Sequence, residues 1–168
     1  MKIIFLDIDG VLNNDRWASV LNHLYGGNGY GGFVKRNLKR RNIKWDYYNV
    51  DNLKTLMDKT GAKIVISSTW RYSHSINDFK VMFQLYGLEP RIVDITPDLS
   101  KTGITDLYIR KIRGDEINAW LDDHPDITNY VILDDDSDFH PGQPLVRTDP
   151  EYGLTDQKML EAINILNK

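Results

Sequence analysis

Ile3-Ile4-Phe5-Leu6 is a short, unbroken apolar run of β-branched and aromatic residues, and Ala62-Lys63-Ile64-Val65-Ile66 and Tyr130-Val131-Ile132-Leu133 read the same way. Runs of this length predict strands buried on both faces, as in parallel sheets. Ile92 to Ile95 predicts a further strand, and Leu145-Val146 a short one at an edge. Between them, apolar residues recur at three- and four-residue spacing: Leu53, Leu56 and Met57; Ile76, Phe79, Phe83 and Tyr86; Ile117, Trp120 and Leu121; Met159, Ile163 and Leu166. That period predicts helices, with Gly61 and Gly87 standing where glycine ends a helix. Strands alternating with helices imply βαβ units, hence an α/β protein built as a three-layer α/β/α sandwich on a mainly parallel sheet.

The stretch from 14 to 49 departs from this rhythm. It holds Gly26-Gly27-Asn28-Gly29-Tyr30-Gly31-Gly32, then Lys35, Arg36, Lys39, Arg40, Arg41 and Lys44. So many glycines disfavour a packed helix, which predicts a loop followed by a short basic helix or extension, inserted between the first strand and its helix. Thr96 to Arg113 contains Pro97 and Gly103 and reads mainly as loop. No internal repeat or low-complexity tract is present.

At 168 residues, 41% of them hydrophobic, the chain is expected to form a single domain spanning 1–168. No segment approaches the roughly 18 uninterrupted apolar residues of a membrane span, and the N-terminal apolar run is far too short for a signal sequence, so a cytoplasmic protein without a membrane partner is expected. The absence of cysteine excludes thiol nucleophiles, disulfides and cysteine-ligated zinc. The four histidines are scattered without an i, i+4 pair. A net charge of −3 argues against coating nucleic acid through global charge, leaving only local basic patches for that purpose. No Gly-rich loop of the P-loop type occurs, which removes a kinase module.

In open parallel sheets, ligands sit beyond the carboxyl ends of the strands. Asp7 and Asp9-Gly10 follow the first run, Ser67-Ser68-Thr69-Trp70-Arg71 the second, and Asp134-Asp135-Asp136-Ser137-Asp138 the fourth. Taken singly, the first is a plausible turn and the last a plausible solvated loop. Gathered on one rim, these carboxylates would repel and raise one another's pKa unless a cation sat among them. A hard divalent ion resolves this, Mg²⁺ above all, because it tolerates few protein carboxylates together with water and phosphate.

Phe5-Leu6-Asp7-Ile8-Asp9-Gly10-Val11-Leu12 resembles the first motif of the haloacid dehalogenase (HAD) superfamily of phosphohydrolases. Ile64-Val65-Ile66-Ser67 resembles the second motif and Val131-Ile132-Leu133-Asp134-Asp135 the fourth, in the right order. For the degenerate third motif, a basic residue near the start of the helix before the fourth strand, Lys111 fits best, with Lys101, Arg110 and Arg113 as alternatives. Ser67 to Arg71, with Arg113-Gly114-Asp115-Glu116-Ile117 and Trp120-Leu121, is also similar to a small phage and bacterial group of HAD domains associated with nucleic-acid repair.

The resemblance implies a Rossmann-like sheet with a small cap or flap at about 14–49, and a Mg²⁺-dependent phosphatase working through an aspartyl-phosphate. Asp7 would be the nucleophile and Asp9 the general acid and base. Ser67 and the Ser68 backbone N–H would bind phosphoryl oxygens, and Lys111 would neutralise charge on the nucleophile and the transferred group. Asp7, the Asp9 carbonyl, Asp135 and Asp134 would hold the metal, with Asp138 a weaker candidate. Arg71 would reach a second phosphate or a nucleic-acid backbone, or else form an exposed salt bridge. Trp70 reads as a core or lid contact or as a base-stacking platform. The basic cluster, with Tyr30, Phe33, Trp45, Tyr47 and Tyr48 interleaved, either tracks a phosphate backbone or forms a solvated face. The expected partner is a phosphorylated substrate, with a nucleic-acid or nucleotide 3′-phosphate leading. The alternatives are a small metabolite, a phosphoprotein, or a non-catalytic module that binds phosphate ends. Nothing in the residues fixes an oligomeric state.

Overall fold

The computed structural model describes residues 1–25, 45–99 and 113–168. Five strands, β1 (Lys2–Leu6), β2 (Lys63–Ile66), β3 (Ile92–Ile95), β4 (Asn129–Asp134) and β5 (Leu145–Arg147), form one sheet in the order β3-β2-β1-β4-β5. Every pairing is parallel, with Leu6 opposite both Ile66 and Leu133. The described helices are α1 (Asp15–Tyr25), α2 (Tyr47–Thr60), α3 (Ile76–Gln84), α4 (Arg113–Asp122) and α5 (Asp156–Leu166). This is the expected α/β architecture, a Rossmann-like parallel sheet with helices on both faces.

Side-chain alternation along β1 separates two cores. Ile4 and Leu6 point to a large cluster with Leu53 and Leu56 of α2, Phe79 and Phe83 of α3, and Ala162 and Leu166 of α5. Ile3 and Phe5 point the other way, onto Ile117 and Trp120 of α4 with Val65 and Ile132. Burying each such side chain is worth roughly 1.5–3 kcal/mol, so the central strand is anchored from both sides. Connection handedness explains the division. The units β1-α2-β2 and β2-α3-β3 step one way across the sheet, whereas the crossover through α4 steps back to β4; right-handed connections therefore put α4 on the opposite face. The chain reverses between β1 and β4, and the crevice above that switch point is where ligands bind in such sheets.

Local chemistry matches the elements. Asp46 caps α2 by accepting from Tyr48 N, and Gly61, at φ 72°, closes it with its N–H on the Met57 carbonyl. Ser75 and Asp78 form a reciprocal capping box on α3. Gly87, expected to end that helix, lies beyond it: α3 stops at Gln84, and Gly87 closes a following turn at φ 70°.

Two expectations need correction. The stretch from 14 to 49 contains an eleven-residue helix, α1, which begins at Asp15 after Asn14 Oδ1 accepts from Trp17 N. Arg113, placed at the end of a loop, opens α4. The glycine run, the basic cluster from Lys35 to Lys44, and Lys101, Arg110 and Lys111 lie outside the described residues. Among the described residues, no helix is long and apolar enough to cross a membrane.

Candidate functional site

The end of β1 is pinned by a hydrogen bond from Asp7 N to the Leu133 carbonyl, 3.0 Å, which sets Asp7 against β4. The chain then turns: Leu12 N and Asn13 N both donate to Ile8 O, and Gly10 N donates to Asn13 O at 2.7 Å. Gly10 makes this turn at φ 70°, and a Cβ there would lie 2.3 Å from Asp135 Cγ, so only glycine lets the β1 and β4 loops meet. From the far side, the buried Thr148 hydroxyl, just past β5, donates to the Gly10 carbonyl at 2.8 Å.

Three carboxylates converge in the crevice. Oxygens of Asp7, Asp134 and Asp135 lie within 4.8 Å of one another. Asp7 and Asp134 are buried, at 5% and 0% exposure. Burial is the main influence raising the pKa of all three. Asp9 adds repulsion at Asp7 and Asp135, and Asp7 adds it at Asp134, whose carboxyl is pushed up to about 7. Arg113 opposes the rise. Its Nη1 is 3.4 Å from Asp7 Oδ1 and hydrogen-bonds Asp134 Oδ2, and these two carboxylates hold the guanidinium firmly protonated. Among the described residues, one guanidinium faces three carboxylates and does not neutralise them. The oxygen-only donor set, crowded and partly buried, fits a hard divalent cation.

The β4 loop also organises α4. Asp138 Oδ2 accepts from Arg113 N at 3.1 Å and its carbonyl accepts from Gly114 N, capping the helix so that Arg113 faces the carboxylates. Asp138 is therefore a helix cap in this arrangement. Arg113, one of the four basic residues considered for the third motif, is the one the described structure brings to the carboxylates.

After β2 the chain enters a 3₁₀ turn, Thr69–Tyr72. Ser67 and Ser68 are fully buried; the Ser68 side chain hydrogen-bonds Asp7 and opposes the rise in its pKa, while Ser67 Oγ has no partner among the described residues. A buried hydroxyl without a partner carries a desolvation cost that a bound oxyanion would relieve.

The structure does not bring Arg71 to the rim as a free cation. Its side chain is buried, with Nη1 donating to the carbonyls of Ser67 (2.5 Å) and Ser68 (2.8 Å) and Nη2 paired with Glu116 of α4. Arg71 thus buttresses the serine turn, in place of the expected second phosphate or exposed salt bridge. Glu116 was not singled out by sequence; the signal was its i+3 spacing from Arg113, which sets both side chains on one face of α4.

Asp9 is gripped from two sides. Asn13 Nδ2 donates to its Oδ1 at 3.1 Å, and the indole Nε1 of Trp70 donates to its Oδ2 at 2.7 Å. Trp45, considered for base stacking, is fully buried against Tyr86 and Phe83, while Tyr47 and Tyr48 are exposed. Asn13, Thr148 and Glu116 complete the site; Glu116 stood in a run that carries the resemblance but was given no role, and Asn13 and Thr148 belonged to no motif.

Comparison with known families matches residues 3–159 to the model described as the HAD domain in Swiss Army Knife RNA repair proteins. That span takes in all five strands, save Lys2 at the start of β1, and every described residue of the crevice. No curated protein and no solved structure matches the chain.

Proposed function

Because the chain belongs to the family of HAD domains in Swiss Army Knife RNA repair proteins, we propose that it is a Mg²⁺-dependent phosphohydrolase that removes a phosphate monoester, foremost a 3′-phosphate, from a nucleic-acid end. The observation carrying this reading is the convergence of Asp7, Asp134 and Asp135 at the switch point of the sheet, beside Arg113 and the Ser67 hydroxyl, which has no partner among the described residues.

Each residue then has a chemical task. An Asp7 oxygen attacks phosphorus as the bond to the leaving oxygen breaks, and an aspartyl-phosphate forms. Asp9 delivers its proton to the departing alkoxide; it then takes a proton from water as that water attacks phosphorus and frees Asp7. Ser67 Oγ and the Ser68 N–H donate to phosphoryl oxygens, and Arg113 balances charge on Asp7 and the transferring group. Asp7, Asp134, Asp135 and the Asp9 carbonyl would hold Mg²⁺, which when bound neutralises the crowded carboxylates and the phosphoryl oxygens.

The test is phosphate release with Mg²⁺ from 3′- and 5′-phosphorylated RNA and DNA oligonucleotides, nucleotides, sugar phosphates, phosphopeptides and an aryl phosphate. Fastest turnover of a 3′-phosphorylated oligonucleotide is expected. Preference for a sugar phosphate or phosphopeptide would move the substrate elsewhere, and tight binding of phosphate ends without turnover of any substrate would mark a non-catalytic module.

A further inference from the structure

We infer that Trp70 is a positioning residue for Asp9, with its indole N–H setting the carboxyl group for proton transfer to an unactivated leaving alcohol. The inference rests on the reading of Asp9 as acid and base and adds to it a role for Trp70, read from the sequence only as a core or lid contact or a base-stacking platform.

The geometry is direct. Trp70 Nε1 lies 2.7 Å from Asp9 Oδ2, across a sequence separation of 61 residues, while Asn13 holds the other oxygen from within the β1 turn. Asp9 is thus fixed by one donor from its own loop and one from the loop after β2. Each carboxylate oxygen can accept more than one hydrogen bond, so neither is closed to substrate by this grip. An indole N–H is a neutral donor with no acceptor, so it orients a carboxyl group without competing for its proton. Arginine at this position would add a charge beside the acid.

The indole is itself held. The Trp70 carbonyl accepts from Ser73 N at 3.1 Å and bonds His74 Nδ1 at 3.0 Å, and its ring packs partly buried against the main core. The next residue, Arg71, is locked to Glu116 and to the Ser67 and Ser68 carbonyls. The serine turn that faces the phosphoryl group and the donor that aims the acid therefore share one rigid 3₁₀ turn, and a carboxyl group so fixed spends little of its time in unproductive rotamers.

The experiment compares Trp70→Phe with Asp9→Asn and the unaltered protein, reading kcat/KM for a phosphorylated oligonucleotide, whose alkoxide needs a proton, against a nitrophenyl phosphate, whose phenolate does not. If Trp70 positions Asp9, Trp70→Phe lowers the oligonucleotide-to-aryl ratio about tenfold through kcat with little change in KM, and Asp9→Asn lowers it further. An unchanged ratio in folded Trp70→Phe, with the ratio collapsed in Asp9→Asn, overturns the positioning role and leaves the phosphatase reading standing. An unchanged ratio in both overturns the acid role of Asp9 and the inference with it. Should phenylalanine unfold the turn, 3-benzothienylalanine at position 70 replaces the N–H by sulfur in the same volume and is held to the same ratio. Independently of turnover, the Trp70 indole N–H resonance, identified by its loss in Trp70→Phe, should be protected from solvent exchange and lose that protection in Asp9→Ala. Rapid exchange unaffected by Asp9→Ala counts against the contact itself.

Discussion

Replacing Asp7 by asparagine removes one negative charge from a pocket where burial and Asp9 already push the carboxyl toward its neutral form. The amide keeps the volume and cannot attack phosphorus, so Asp7→Asn is expected to abolish phosphate release while raising the melting temperature of the metal-free protein. Near-normal release by the folded variant would refute the proposed nucleophile, and a lowered melting temperature would show that Asp7 is repaid by Arg113 in full. Asp134 carries the matching pH dependence. Its carboxyl is pushed up to about 7, chiefly by burial and next by Asp7, against an ordinary value of 3.8. Between these values the folded state holds a proton that the unfolded chain has released, so stability falls as pH rises through the window. Metal-free protein should therefore melt lower at pH 8 than at pH 5, and Mg²⁺ should raise the melting temperature more at pH 8, when its ligands are ionised. Equal Mg²⁺ shifts at both values would detach the ion from these carboxylates.

The β1 turn, the serine turn and α4 form a bracket around the crevice, and two substitutions probe it. Gly10→Ala forces a side chain into left-handed backbone and onto Asp135; it should lower stability by roughly 1–3 kcal/mol in urea unfolding and weaken Mg²⁺ stabilisation in the same step. Glu116→Ala leaves the buried Arg71 guanidinium without its carboxylate, a loss of about 3–5 kcal/mol for a broken buried pair. That cost should appear in unfolding even though Glu116 lies outside the chemistry, and a change below 1 kcal/mol would mean that the Ser67 and Ser68 carbonyls suffice. At this scale the limits of sequence are plain. Ile3–Leu6 and Tyr130–Leu133 announce themselves because strands covered on both faces need continuous apolar runs. By contrast, α1 hides because, among its residues whose burial is described, only Leu21 is buried and five are exposed. The fate of Arg71 was hidden for a different reason: its partner sits 45 residues away, and nothing local distinguishes a cation aimed at phosphate from one sealed under a turn.

For the molecule as a whole, sheet order turns scattered motifs into a site. Asp7, Ser67 and Asp134 are distant in the chain, yet β1 is flanked by β2 and β4, so three strand ends meet. The apolar pattern predicted these strands and where polar residues follow them; the clamp on Asp9 and the approach of Arg113 to the carboxylates depended on side-chain directions that no spacing encodes. The charge of the chain makes a separate prediction. Lys39, Arg40 and Arg41 stand in a net acidic protein. Changing all three to alanine should raise KM for a phosphorylated oligonucleotide and flatten its salt dependence, with small effect on an aryl phosphate. An unchanged salt slope would leave the cluster as a solvated face. One brace has a bearing on how the protein is made. Thr148 supports the Gly10 carbonyl, Thr148 N binds the Asp134 carbonyl and Leu154 N binds the Val11 carbonyl. Translation delivers Asp7 early and these donors late, so a nascent chain still on the ribosome carries the proposed nucleophile before its first turn is braced. Stalled chains ending before residue 145 should release no phosphate, and on the proposed function a half-made polypeptide would then be harmless to the RNA crowded around it.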